Sequence, residues 1–213
     1  MTAYAAVLWD LDGTIVDTEP LWMAAEHTLA EEHGKIWTEE DGLALVGNSL
    51  LTSGRYIRDK LESSMTPEEI VAFLVGRLTA ALGEHIDWRP GAREMIAAFE
   101  AEGVPQSLVT MSYTSIAEIV AASLPFKAVV TGDSVSRPKP HPDPYLLAAE
   151  LLGVDASQCL AIEDSGTGAA SANAAGCDVI VVPHFVNVPE ADRRVQIPTL
   201  AGLTPDDLRE LFA

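Results

Sequence analysis

Asp10-Leu11-Asp12-Gly13-Thr14 sets two carboxylates two residues apart, directly after the apolar run Ala5 to Trp9. A run this short reads as a buried strand. In an open parallel sheet, ligands bind at the carboxyl ends of the strands. Both carboxylates can aim into one crevice if the chain turns at Gly13, which tolerates positive φ. A carboxylate is already ionised at neutral pH and can attack phosphorus without an activating base. A second carboxyl nearby can protonate the leaving oxygen and later deprotonate water. The same residues also suit an ordinary turn with a helix cap.

Three further strand ends carry suitable groups. Thr110 closes the run Gln106 to Thr110, within Val109-Thr110-Met111-Ser112. Its hydroxyl and the backbone amides that follow, Met111 included, can grip phosphate oxygens, although threonine here also fits a helix cap. Arg137-Pro138-Lys139-Pro140-His141-Pro142 is a loop stiffened by proline. Lys139 within it is either a fixed point charge for phosphate or an exposed loop lysine, and His141 reads as support for the loop. Glu163-Asp164-Ser165 follows the run Cys159 to Ile162. Two acids at the mouth of a buried strand are costly without a partner, and magnesium, a hard cation, supplies one.

The elements that position these groups alternate in type. Apolar runs at 5–9, 106–110, 128–131, 159–162 and 178–182 are separated by helix-period stretches at 92–102, 115–122, 144–152 and 168–175. That alternation predicts a parallel sheet with helices on both faces. Gly103, Gly153 and Gly176 follow helices, as left-handed C-terminal caps require. From Asp17 to Trp88 the rhythm breaks. Helical patterning covers 21–33, 52–61 and 67–82, and Thr66-Pro67-Glu68-Glu69 is a strong helix start. We therefore expect an all-helical insert after the first strand.

The ordered set Asp10-x-Asp12, Thr110, Lys139 and Glu163-Asp164 resembles that of the haloacid dehalogenase-like hydrolase superfamily, across essentially the whole chain. The resemblance implies a Rossmann-like core of residues 1–16 and 89–213, with 17–88 as a helical cap. It implies a phosphatase in which Asp10 forms an aspartyl-phosphate and Asp12 is the general acid and base. Thr110 and Lys139 would hold the phosphoryl group. Mg2+ would be held by Asp10, the Asp12 carbonyl and Asp164, with Glu163 assisting. Thr18 to Pro20 and Asp87 to Pro90 are expected as the cap's hinge strands. Trp22, Trp37, Asn48, Ser49 and Arg55 are expected on its inner face. The resemblance is to small sugar-phosphate phosphatases, with a β-phosphoglucomutase-like enzyme as the alternative and a non-catalytic phosphate-binding module as a third reading. The branch's cap histidine and arginine are matched here by Trp22 and Leu50, which disfavours the mutase, an enzyme that must hold a second phosphate. His27 and His33 are expected at the surface.

Bulk properties narrow the partners. The 213 residues are 48% hydrophobic and 21% charged, with a net charge of -19. Nucleic acid and anionic membranes attract basic patches, so neither is expected. A small phosphate ester is the expected partner, although it must approach an anionic protein. No apolar run nears the length of a membrane span, and MTAYAAVLWD shows no basic segment ahead of an apolar one. The reading is a cytoplasmic monomer in which Cys159 and Cys177 are buried free thiols.

Overall fold

The computed structural model describes residues 4–212; residues 1–3 of the N-terminal run read above for a leader, and Ala213, lie outside it. The sheet is built around β1 (Ala6–Trp9), all of whose residues are buried. β2 (Gln106–Val109) and β4 (Cys159–Glu163) flank it in parallel. β3 (Ala128–Val130) lies beyond β2, while β5 (Asp178–Val181) and β6 (Arg194–Gln196) lie beyond β4, giving the order β3-β2-β1-β4-β5-β6. Trp9 pairs with Leu108 on one side and Ile162 on the other. The carboxyl ends of three central strands are thereby level, and Asp10 leaves the sheet beside Val109 and Glu163.

Strand side chains alternate between faces, and both faces are covered. Val7, Trp9, Leu108 and Ile162 pack with α5 (Ala92–Ala101), α6 (Thr114–Ala121) and α9 (Pro205–Glu210). Ala6, Leu8, Ala161 and Val179 pack with α7 (Asp143–Leu152) and α8 (Gly166–Ala174). Cys159 and Cys177 are buried and unpaired in this second layer. β6 and α9 were not anticipated. Arg194-Val195-Gln196 has no apolar run because β6 is an edge strand, and α9 has only six residues.

Four helices intervene between β1 and α5: α1 (Glu19–Glu32), α2 (Glu39–Leu43), α3 (Leu50–Leu61) and α4 (Pro67–Glu84). Thr66 and Glu69 form a reciprocal cap at the start of α4. The five-residue α2, too short for periodicity to reveal, is capped in the same way by Thr38 and Asp41. The chain leaves and re-enters the sheet region through a short antiparallel crossing of Val16 and Trp88. The Asp17 N–H donates to the Asp87 carbonyl and the Arg89 N–H to the Ile15 carbonyl, each at 2.8 Å. The outgoing segment is therefore 15–17, not the expected Thr18 to Pro20. Thr18 is instead the N-cap residue of α1, and Pro20, lacking an N–H, fits its first turn. His33 is also less exposed than expected: its ring nitrogens contact the Leu29 carbonyl at 2.8 Å and Ser63 Oγ at 2.7 Å. Among the described residues no helix is long and apolar enough to cross a membrane.

α3 and α4 cross where Gly54 meets Pro67. A Cβ at Gly54 would stand 2.7 Å from the Pro67 carbonyl oxygen and 3.2 Å from Val71 Cγ2. Alanine would gain helix propensity of about 1 kcal/mol but force the helices apart, an overpacking cost of roughly 1–3 kcal/mol. Gly54→Ala is expected to lose up to about 2 kcal/mol net in urea unfolding. A more stable variant would refute the close crossing.

Candidate active site

Lys139 is buried, and its ammonium uses all three protons on acceptors from three strands. It donates to Asp10 Oδ1 at 2.7 Å, to Glu163 Oε1 at 2.6 Å and to the Val109 carbonyl at 2.9 Å. Burial works against the ammonium, but the Asp10 and Glu163 carboxylates outweigh it and hold its pKa above the ordinary value. The exposed-loop reading of Lys139 is thereby excluded. The loop after β3 is fixed further by the Lys139 N–H, 3.4 Å from the Met111 sulfur.

Glu163 is fully buried behind this lysine. Its Oε1 also accepts from Tyr145 Oη at 2.5 Å and its Oε2 from Ser165 Oγ at 3.2 Å. Tyr145 comes from the first turn of α7 and was not anticipated; nothing local in Pro144-Tyr145-Leu146 marks it. Two glycines make room for the acids. A Cβ at Gly168 would meet the Glu163 carboxyl at 2.0–2.1 Å, and one at Gly13, where φ is +80°, would meet Asp164 Oδ2 at 2.1 Å.

Asp12 stands between sheet and insert. Its Oδ1 accepts from Thr18 Oγ1 at 2.7 Å and from Trp22 Nε1 at 3.4 Å. Its Oδ2 accepts from Thr110 Oγ1 at 3.0 Å and Ser112 Oγ at 2.8 Å. Thr110 is therefore not poised on an open phosphate site. It is fully buried beneath Asp12 and accepts the Ser112 N–H at 2.9 Å, while Met111 and Ser112 reach the pocket.

Carboxylate oxygens of Asp10, Glu163 and Asp164 lie within 4.8 Å of one another. Burial, then the Glu163 charge, pushes Asp10 up to about 7. Burial and the charges of Asp10 and Glu163 likewise raise Asp164 well above the ordinary carboxylate range. Three buried carboxylates face one ammonium, leaving uncompensated negative charge. The donors are all hard oxygens, so a divalent cation of the magnesium type fits both charge and chemistry.

The pocket above this cluster is lined from the core by Asp10, Asp12, Met111, Ser112, Lys139 and Asp164. From the insert, Trp22, Asn48 and Leu50 line it. Ser49 does not. It caps α3, with Oγ accepting from the Thr52 N–H. Trp37 is buried core, bonded to Glu26, and Arg55 is exposed on the outer side of α3. Sequence reasoning missed the insert's polar lining, Glu19, Glu26 and Ser53. They sit on helices where acids and hydroxyls ordinarily face solvent.

The family profile for haloacid dehalogenase-like hydrolases matches residues 7–182. The chain belongs to this family of hydrolases. Hexitol phosphatase A of Escherichia coli (strain K12) is 36% identical over 187 residues, 85% of this chain and 84% of that protein. A fructose-1-phosphate phosphatase of the same strain is 30% identical over 183 residues, 84% of this chain and 96% of that protein. The crystal structure of CbbY from Rhodobacter sphaeroides in complex with phosphate superposes with a TM-score of 0.85 at 26% identity, covering 97% of this chain and 100% of that one. Within the family, the chain is an enzyme of the phosphatase class.

Glu26 gives a pH test outside the acidic cluster. Burial pushes its carboxyl up from 4.5 to about 7; the 3.0 Å bond from Trp37 opposes this and the Asp41 charge adds to it. Between those pH values the folded protein keeps a proton that the unfolded chain releases. This contribution to stability therefore falls as pH rises through the window and is level above it. Glu26→Gln removes the contribution while keeping an oxygen for Trp37. Its urea midpoint relative to wild type should rise from pH 5 to pH 8; an unchanged difference would contradict the shift.

Proposed function

We propose that the protein is a magnesium-dependent phosphatase of small polyhydroxy phosphate monoesters, acting through an aspartyl-phosphate on Asp10. The observation that carries this reading is the Lys139 ammonium clamped between Asp10 and Glu163 at the pocket floor, beside Asp164. Relatives named for hexitol and fructose 1-phosphates support the substrate class.

Asp10 Oδ1 is held by Lys139, while Oδ2 makes no hydrogen bond within the described residues. Attack by the Asp10 carboxylate on phosphorus forms the new O–P bond as the ester O–P bond breaks. The leaving oxygen takes a proton from Asp12. Asp12 then takes a proton from the water that attacks the acyl phosphate, releasing inorganic phosphate and restoring Asp10. Lys139 and the Met111 N–H oppose charge on the phosphoryl oxygens, the main source of catalysis in phosphoryl transfer. Thr110 acts through Asp12, which it tethers. Asp10, Asp164 and the Asp12 carbonyl would hold Mg2+, with Glu163 alongside, orienting Lys139. The ion would add positive charge at the transferring group. Residues 17–88 form the cap over the site, with hinges at the Val16–Trp88 crossing.

A phosphomutase must seat a second phosphate. Among the described residues lining the pocket, Lys139 is the one cation, and its protons are committed. The hydrolase reading is therefore preferred.

Asp10→Asn should lower the rate of phosphate release by about 10³-fold or more while still folding cooperatively, with a lower thermal midpoint because Lys139 loses a charged partner. Near-normal turnover would remove Asp10 from the nucleophile role. Exhaustive chelation should abolish phosphate release from p-nitrophenyl phosphate, and added Mg2+ should restore it. Full activity in the chelated enzyme would refute the metal requirement.

A further inference from the structure

The pocket has two chemically distinct walls. The core wall carries the phosphate chemistry. The insert wall carries Glu19, Glu26 and Ser53, which are only 9%, 5% and 6% exposed. Ordinarily a buried polar group is hydrogen-bonded. Yet neither the Glu19 carboxylate nor the Ser53 hydroxyl has a side-chain partner among the described residues, and Glu26 has one for a single oxygen. Its Oε2 accepts from Trp37 Nε1 at 3.0 Å, and Oε1 is left without one at the pocket wall. Gly42 lies against the bonded oxygen: a Cβ there would be 3.2 Å from Oε2, so any side chain would crowd the carboxylate. Glu26 is thus fixed on one side and open on the other.

We propose that Glu19, Glu26 and Ser53 form the subsite for the leaving group, that this subsite takes an uncharged polyhydroxyl chain or ring, and that it rejects any leaving group bearing a second anion, with Glu26 as the specificity-determining residue. The proposal rests on the phosphatase reading for its catalytic consequence. Above about pH 8, where Glu19 and Glu26 are both ionised, their oxygens are acceptors only, and an alcohol-rich leaving group brings the matching donors. The Ser53 hydroxyl can serve either way. A second phosphate or a carboxylate would meet two acids and no free cation, with solvent largely excluded. This wall already tolerates negative charge poorly. Burial, with the nearby carboxylates, pushes Glu19 up to about 8 and Glu26 up to about 7. The apolar lining by Leu45, Leu50 and Leu74 offers such an anion no compensation.

The test is a binding comparison on the full chain carrying Asp10→Asn with saturating Mg2+, so that turnover does not intervene. Calorimetry at about pH 9, where Glu19 and Glu26 are both ionised, with glucitol 6-phosphate, glucose 1,6-bisphosphate and 2-phosphoglycolate should show the first binding tighter by at least about tenfold than either of the others. Equal or reversed affinities, or no binding of glucitol 6-phosphate, would overturn the proposal. Adding Glu26→Gln should shrink the preference by at least about threefold, because the charge is removed while the oxygen for Trp37 remains. An unchanged ratio in a variant with an intact thermal transition would remove Glu26 from the specificity role. The Asp10→Asn protein decides the subsite question even if the double variant does not fold. Phosphate release by the unsubstituted enzyme separates the two readings. Selective binding without release from any of the three esters would sink the phosphatase and leave the subsite standing. Release at equal kcat/KM from all three would sink the subsite and leave the phosphatase standing.

Discussion

The constraint on which the molecule turns is the buried ammonium of Lys139. A lone charge at that depth is untenable, and so are the carboxylates of Asp10 and Glu163 beside it. Each is stable only because the others are there. Removing one partner from such a group typically costs about 3–5 kcal/mol, because a buried charge is left uncompensated. The three partners come from β1, β4 and the loop after β3, and the third acceptor is the last carbonyl of β2. The site is therefore also a clamp on the carboxyl edge of the sheet. Tyr145 and Ser165 complete the shell of Glu163, which leaves that acid oriented and unable to drift toward the pocket.

The strand order makes the clamp possible. β1 is central, and the chain adds β2 and β3 on one side before crossing to β4, β5 and β6 on the other. The reversal opens a crevice at the carboxyl ends of the inner strands. Parallel pairing at the observed register brings Asp10 and Glu163 to the same level. Gly13 and Gly168 then allow backbone to approach the carboxylates of Asp164 and Glu163 more closely than any Cβ permits. Asp12 has a different situation. Two of its donors belong to the core and two to the insert, so its surroundings depend on where the insert sits.

The core half of this arrangement was legible because its signals are local. Asp10, Asp12, Lys139, Glu163 and Asp164 each stand next to an apolar run or a proline-stiffened loop that betrays a strand end. What was not legible depends on contacts distant in sequence. Nothing in the residues around Tyr145 reveals that its hydroxyl meets Glu163. Thr110 was placed at the right strand end, but its hydroxyl proton goes to Asp12 rather than into open space. In the insert, periodicity indicates that α1 and α3 have buried faces. It does not indicate that one buried face borders a cavity. Trp37 and Arg55 were therefore expected at the pocket and are absent from it, whereas Glu26 and Ser53 were passed over because acids and hydroxyls on helices ordinarily face water. The edge strand β6 lacked an apolar run because it has a sheet neighbour on one side only.

The net charge of -19 poses a problem for an enzyme whose substrate is an anion. The structure divides that problem between the two walls of one pocket. On the core wall, Lys139 is saturated by its carboxylates and cannot by itself reverse the local potential. A hard divalent cation, for which three converging carboxylates are suited, would make the phosphoryl end acceptable. On the insert wall no cation stands among the described lining residues, and two buried carboxyls tolerate added negative charge poorly. A molecule entering the pocket therefore meets a site that neutralises charge at one end and penalises it at the other. An anion at one end and hydroxyls at the other satisfy both walls at once. The acidity that weighs against phosphate binding in general thus orients the substrate, because only one end of such a molecule can settle beside Asp10.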